Sequence, residues 1–149
     1  MRTILFVCTG NTCRSPMAEG IARAWADTAE EDVFIASAGV ATIDGMPTSP
    51  ETVAVLDRLG TQCDGRSTVL TADMIKSAQA VLCMTGSHMA AARALVADDP
   101  DSKAKVMLLD PTGDIPDPIG SPQSVYDSLA EALQRLIADR LPAVIDSDD

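Results

Sequence analysis

The chain is poor in aromatic residues, poor in basic ones, and has no apolar run long enough to cross a membrane. Aromatics make up 3% of its 149 residues: one Trp, one Tyr and two Phe. A site walled by stacked rings therefore has few side chains to draw on. Lys and Arg number 11 against 22 Asp and Glu, for a net charge of −11. That balance argues against nucleic acid as a partner, because phosphate backbones are bound through clustered cations. An acidic surface suits basic protein segments instead. No stretch approaches the ~20 apolar residues of a spanning helix, so no membrane partner is expected. The first residues carry a single Arg, and their apolar run leads into a polar loop rather than a small-residue cleavage site. No signal peptide is read, and a cytoplasmic location is expected. The single histidine, His88, and four cysteines at positions 8, 13, 63 and 83 do not make a zinc ligand set. In a reducing compartment Cys63 and Cys83 read as small apolar packing residues.

What is present is the pattern of one α/β domain. Hydrophobic content of 46% with 22% charged residues describes a soluble globular chain. Short apolar runs read as strands at Thr3–Val7, Val33–Ala38, Ala80–Met84 and Val106–Leu109. Between them lie amphipathic stretches. The first opens at Ser15-Pro16, read as cap and N1, and places Met17, Ile21, Ala24 and Trp25 on one face. The second opens at Ser49-Pro50-Glu51 and stops at Gly60; a short helix follows Thr71, and another runs through Ala90–Val96 to end before Asp98-Asp99-Pro100. The last begins at Ser121-Pro122, with Val125, Leu129, Ala132, Leu133 and Leu136 as its apolar stripe. Buried strands alternating with helices predict a doubly wound parallel sheet with helices on both faces. The domain is expected over residues 1–142, with 143–149 as an acidic tail.

In such sheets ligands bind at the carboxyl ends of the strands. Strand one ends there in Cys8-Thr9-Gly10-Asn11-Thr12-Cys13-Arg14-Ser15, and strand four in the Pro-, Gly- and Asp-rich loop Asp110–Gly120. A loop between strand and helix, curled at Gly10 and Asn11 through positive φ, presents successive backbone N–H groups and a helix N-terminus to an anion. A thiol on the rim of that cradle ionises readily. Cys8 is thus a candidate nucleophile, with the amides of Thr9 to Arg14 and the planar fork of Arg14 as donors to the phosphoryl oxygens. Ser15 could donate its hydroxyl to the Cys8 sulfur. Asp117, stiffened in Pro116-Asp117-Pro118, is the leading candidate for the acid that protonates the leaving group; Asp110 and Asp114 compete with it. Cys13 reads equally as a partner for a reversible Cys8 disulfide or as a small buried loop residue. The chemistry indicated is phosphoryl transfer to sulfur.

Val7-Cys8-Thr9-Gly10-Asn11-Thr12-Cys13-Arg14-Ser15-Pro16-Met17-Ala18-Glu19 resembles the signature of the low-molecular-weight protein phosphatases. Ser37-Ala38-Gly39-Val40, Leu70-Thr71 and Asp117-Pro118-Ile119-Gly120 resemble the family at matching places in chain order. The resemblance implies a four-stranded parallel sheet of the phosphatase I-like type, Cys8 as nucleophile, Arg14 as phosphate clamp, Asp117 as general acid and a phosphocysteine intermediate. It implies no metal or cofactor and a phosphorylated protein as substrate; the sequence leaves the oligomeric state open, with a monomer as the default expectation. Thr12 resembles the bacterial protein-arginine phosphatases, where phosphotyrosine enzymes carry a larger aliphatic residue. Ile119 stands where phosphotyrosine members commonly place Tyr. Both lean toward phosphoarginine over phosphotyrosine. One departure is that Gly65 stands where the family often has a His supporting the loop asparagine, so Asn11 should be held differently.

Two other chemistries fit a cysteine at the end of strand one. A thiol-linked arsenate reductase on the same fold needs further cysteines to relay a disulfide, and Cys83 is the one that aligns. A non-hydrolytic phosphocarrier has no need of Arg14 and Asp117.

Overall fold

A computed structural model describes residues 2–61 and 65–146. Its elements are β1 (Arg2–Cys8), α1 (Arg14–Thr28), β2 (Val33–Gly39), α2 (Pro50–Arg58), α3 (Ala72–Ser77), β3 (Ala80–Cys83), α4 (Gly86–Leu95), α5 (Pro100–Ala104), β4 (Val106–Leu108) and α6 (Gln123–Asp146). All strand pairs are parallel, in the order β2-β1-β3-β4. This is the expected doubly wound four-stranded sheet of the phosphatase I-like fold. The direction of winding reverses between β1 and β3, and ligands of such sheets bind outside that point. Register puts Cys8 opposite Gly39 and Val7 opposite Cys83, so the ends of three strands meet at the Cys8 loop.

Alternation along β1 feeds two cores. Ile4, Phe6 and Cys8 face α1, α2 and α6, packing with Met17, Ile21, Leu56 and Leu133. Leu5 and Val7 face α3 and α4, packing with Ile75, Ala92 and Val96. With both faces covered, the central strands are apolar and buried over Ile4–Cys8 and Ala80–Cys83.

Several boundaries differ from the sequence reading, each for a local reason. Ser49 caps α2 as expected, accepting from Thr52 N–H, and Gly60 follows its last turn at φ 78°, a conformation glycine adopts without a Cβ penalty. Ser15 does not cap α1: the helix starts at Arg14, Cys13 holds the cap position without a side-chain bond, and the Ser15 hydroxyl is used elsewhere. The α1 face is also more continuous than predicted, with Ala18, Ala22 and Ala26 buried and Trp25 partly exposed. Asp99-Pro100 does not merely end the preceding helix. Asp99 accepts from Ser102 N–H and hydroxyl and starts α5. The fully buried side of α6 is Tyr126, Ala130, Leu133, Ile137 and Leu141; of the expected stripe, Leu133 belongs to it, Leu129 and Leu136 pack partly buried against the same core, and Val125 is exposed. That helix also runs past Pro142 to Asp146, so residues 143–146 are not tail. Val144 and Ile145 are buried, and their carbonyls accept from Gln79 Nε2 and, at Ile145, also from Arg2 Nη1. Cys63 and residues 147–149 lie outside the described residues.

Candidate active site

The loop from Cys8 to Ser15 is built around two buried polar residues. Asn11 has φ 56°, a left-handed conformation that asparagine tolerates better than most residues, and is 2% exposed. Its side chain is well partnered. Nδ2 donates to Ser15 Oγ (2.7 Å) and Ser37 Oγ (2.9 Å), while Oδ1 accepts from Thr68 N–H (2.9 Å). Ser37 in turn donates to Glu19, which pairs with Arg23 at 2.6 Å. This β2–α1 network carries the support expected of the family histidine that Gly65 lacks. Gly10, by contrast, is not at positive φ: the curl is made by Asn11 alone.

Two donors reach the Cys8 sulfur. Asn11 N–H lies 3.2 Å away, and Ser15 Oγ 2.9 Å away. Because Ser15 Oγ already accepts from Asn11, its own proton is free for the sulfur. β2 presses on the loop from outside. Val40 N–H and Ala41 N–H donate to the carbonyls of Cys8 and Thr9. A Cβ on Gly39 would stand 2.6 Å from the Thr9 carbonyl oxygen and 3.1 Å from Asn11 Cβ. Glycine there is a condition for the close approach.

Arg14 is 5% exposed and reaches across to the loop after β4, its Nη1 donating to the Ile115 carbonyl at 2.8 Å. Ile115 N–H donates to the Met84 carbonyl, tying this loop to the end of β3. Beyond the tie, Asp117 is exposed, with Oδ2 3.7 Å from Arg14 Nη2 and Oδ1 accepting from Ile119 N–H at 3.1 Å. Asp110 accepts from Thr112, which holds its carboxyl below the usual range, and Asp114 accepts from Gly86 N–H. Asp117 alone of the three lines the pocket with Cys8.

That pocket, of about 130 Å³, gathers Cys8, Thr9, Gly10, Thr12, Cys13, Arg14, Asp117 and Ile119. Asn11 and Ser15 stand behind it as supports. Cys13 is buried, its sulfur 3.7 Å from the Tyr126 hydroxyl. Burial and this contact push the Tyr126 phenol up to about 12, so it remains a neutral donor. Cys83 is wholly buried, and burial, partly offset by Arg93, pushes its thiol up to about 12. Cys83 is not among the residues that line the Cys8 pocket. Among the described residues, no group of three or more His, Cys, Asp or Glu could hold a metal. No helix among them is long and apolar enough to cross a membrane.

One residue at the site was not legible in the sequence. His88, third residue of α4 and 3% exposed, has Nε2 2.7 Å from Thr9 Oγ1. A lone histidine 79 positions from its partner has no motif. The only signal was its place just after strand three, whose carboxyl end abuts that of strand one.

A strand-ending cysteine, a donor-rich loop and an arginine facing an aspartate thus share one pocket. The chain belongs to the low molecular weight phosphotyrosine protein phosphatase family, whose sequence model matches residues 3–146. It is similar to a protein-arginine phosphatase of Geobacillus stearothermophilus, 39% identical over 140 residues, covering 93% of this chain and 92% of that one. A solved low molecular weight protein tyrosine phosphatase from T. tengcongensis superposes with TM-score 0.86 at 40% identity, over 95% of this chain and 99% of the other. A YwlE arginine phosphatase with its active-site serine, introduced for cysteine, phosphorylated superposes with TM-score 0.84 at 31% identity, over 91% and 90%. The chain is accordingly a protein phosphatase of the low-molecular-weight tyrosine/arginine type.

Proposed function

We propose that the chain hydrolyses phosphoarginine in proteins, with phosphotyrosine as the poorer substrate, through a phosphocysteine on Cys8. The observation that carries this reading is the convergence of Cys8, Arg14 and Asp117 on one small pocket whose Thr12 and Ile119 walls contain no ring. Cys8 Sγ attacks phosphorus as the bond to the leaving nitrogen breaks, and Asp117 gives that nitrogen its proton. The loop amides and Arg14 take the charge spread over the three phosphoryl oxygens. Asp117, now a carboxylate, then takes a proton from the water that cleaves the S–P bond, releasing inorganic phosphate and restoring the thiolate. The phosphorylated serine of the YwlE relative supports the covalent step.

A polypeptide substrate has room beside the pocket. An open groove of about 450 Å³ shares Thr12, Cys13 and Ile119 with it and runs past Met46, Pro47 and Glu51. Thr12 is fixed there by its carbonyl, which accepts from Ser49 N–H at 2.8 Å.

The test is a paired assay of phosphoarginine and phosphotyrosine peptides on the wild type and Thr12→Ile. The larger, apolar wall of the variant should lower kcat/KM for phosphoarginine and raise the tyrosine-to-arginine ratio by about tenfold or more, the scale of a single pocket contact. An unchanged ratio removes Thr12 as the selector. Asp117→Asn is expected to slow turnover by about 10²–10⁴-fold for poor leaving groups, and far less for aryl phosphates with acidic phenols. An equal loss across leaving groups would take the acid role from Asp117.

A further inference from the structure

The Thr9–His88 contact has no part in the scheme above, and its geometry is specific. His88 Nε2 lies 2.7 Å from Thr9 Oγ1, while His88 Nδ1 is buried without a partner among the described residues. The proton on the imidazole is therefore assigned by what each tautomer leaves unpaired. With the proton on Nδ1, a buried N–H would have no acceptor, which folded proteins rarely tolerate. With it on Nε2, only a lone pair is left over.

The charge on the ring is settled by its neighbours. His88 sits in the first turn of α4, whose N-terminus disfavours a cation. Burial and the Arg14 guanidinium push its pKa below the ordinary 6.5, and Asp114 and Asp117 on the facing loop pull the other way. A cationic ring would in addition bury an Nδ1–H without an acceptor, so the ring is assigned as neutral, with Nε2–H donating to Thr9 Oγ1.

The consequence lies with Thr9. A hydroxyl has one proton and two lone pairs. Once Oγ1 accepts from His88, its own O–H points to another acceptor. Thr9 lines the Cys8 pocket, and its backbone is fixed by Ala41 N–H on the opposite side.

We infer that His88 is a positioning residue: by donating to Thr9 Oγ1 it turns the Thr9 hydroxyl into a side-chain donor for a phosphoryl oxygen, beyond the loop amides and Arg14. This rests on the pocket being the phosphate site, and the test separates the two. The probe is inorganic phosphate, titrated calorimetrically against the untagged full chain, with aryl phosphate kinetics alongside.

Thr9→Val, which keeps shape and removes the hydroxyl, should weaken phosphate binding and lower kcat/KM by about tenfold, the scale of a hydrogen bond to a charged group. Thr9→Ser should recover most of the loss. His88→Leu should match Thr9→Val, and His88→Gln, whose side-chain amide can still donate, should recover much of the loss. The double variant Thr9→Val/His88→Leu should be no worse than either single one, because both remove the same bond. Additive losses, or a Thr9→Val chain with wild-type affinity, would overturn the inference. If phosphate does not bind the wild type at all, the site reading fails along with it; if it binds and Thr9→Val does not matter, only this inference does. Because the chain has one histidine, its ring ¹⁵N signals are unambiguous. They should show the Nε2–H tautomer, and an Nδ1–H tautomer would refute the assignment even if the His88 variants fail to fold.

Discussion

Cys8→Ser is expected to lower turnover by on the order of 10⁴-fold or more while inorganic phosphate still binds with near wild-type affinity. The exchange is close to isosteric at a position 3% exposed, and Asn11 N–H and Ser15 Oγ remain to meet the new hydroxyl. The fold and the cradle should thus survive. What is lost is a nucleophile that is intrinsically strong and a leaving group that departs from phosphorus in the second step. A neutral serine hydroxyl is a weak nucleophile without a base, its alkoxide is a poor leaving group, and no base lies within hydrogen-bond distance of the sulfur among the described residues. Single-turnover release of phosphate, compared with a phosphate titration, separates chemistry from binding. A Cys8→Ser chain turning over within tenfold of the wild type would end the covalent mechanism.

Arg14→Lys is expected to cost about 10³-fold or more in kcat/KM, with binding of phosphate weakened as well. Charge is conserved in that exchange, so the loss isolates geometry. Arg14 has two tasks that a point cation cannot combine. Its Nη1 donates to the Ile115 carbonyl, holding the loop that carries Asp117, while the rest of the planar fork faces the pocket. An ammonium satisfying Ile115 leaves the phosphoryl oxygens unserved, and one turned to the phosphate leaves a buried carbonyl unpaired. Thermal unfolding of the variant reports the second failure and kinetics the first. Wild-type kcat/KM in Arg14→Lys would show that the clamp is electrostatic only.

The chemistry-bearing segment was legible because its residue types are dictated locally. An anion cradle between strand and helix needs a curled loop, donors and an arginine within reach, and Cys8 to Ser15 supplies them in one run. Asp117 was legible because its flanking prolines marked a stiff loop at the matching sheet edge. The strand pattern was legible from apolar runs too short and too continuous for surface helices. What escaped was set by tertiary contact. Ser15 reads as a cap by type, yet its hydroxyl is claimed by Cys8 and Asn11, and nothing in the local sequence says so. Gly10 and Asn11 both read as left-handed, since both residue types favour that conformation, and only Asn11 adopts it. Tyr126 of α6 is buried with its hydroxyl against Cys13, 113 positions away. The Asn11 support runs through Ser37, Glu19 and Arg23, and His88 meets Thr9 across 79 positions. Such pairings are products of the sheet order rather than of any motif.

The anchoring of the last helix against Arg2 and Gln79 has a practical consequence. Strand β1 carries the chain from that anchor to Cys8 over seven residues, a distance of about 20 Å at the usual rise of an extended strand. A fluorophore or surface tether attached beside Asp146 thus sits at the far pole of the molecule from the mouth that receives phosphate. Immobilised there, the enzyme would present its working end outward to targets as large as whole proteins.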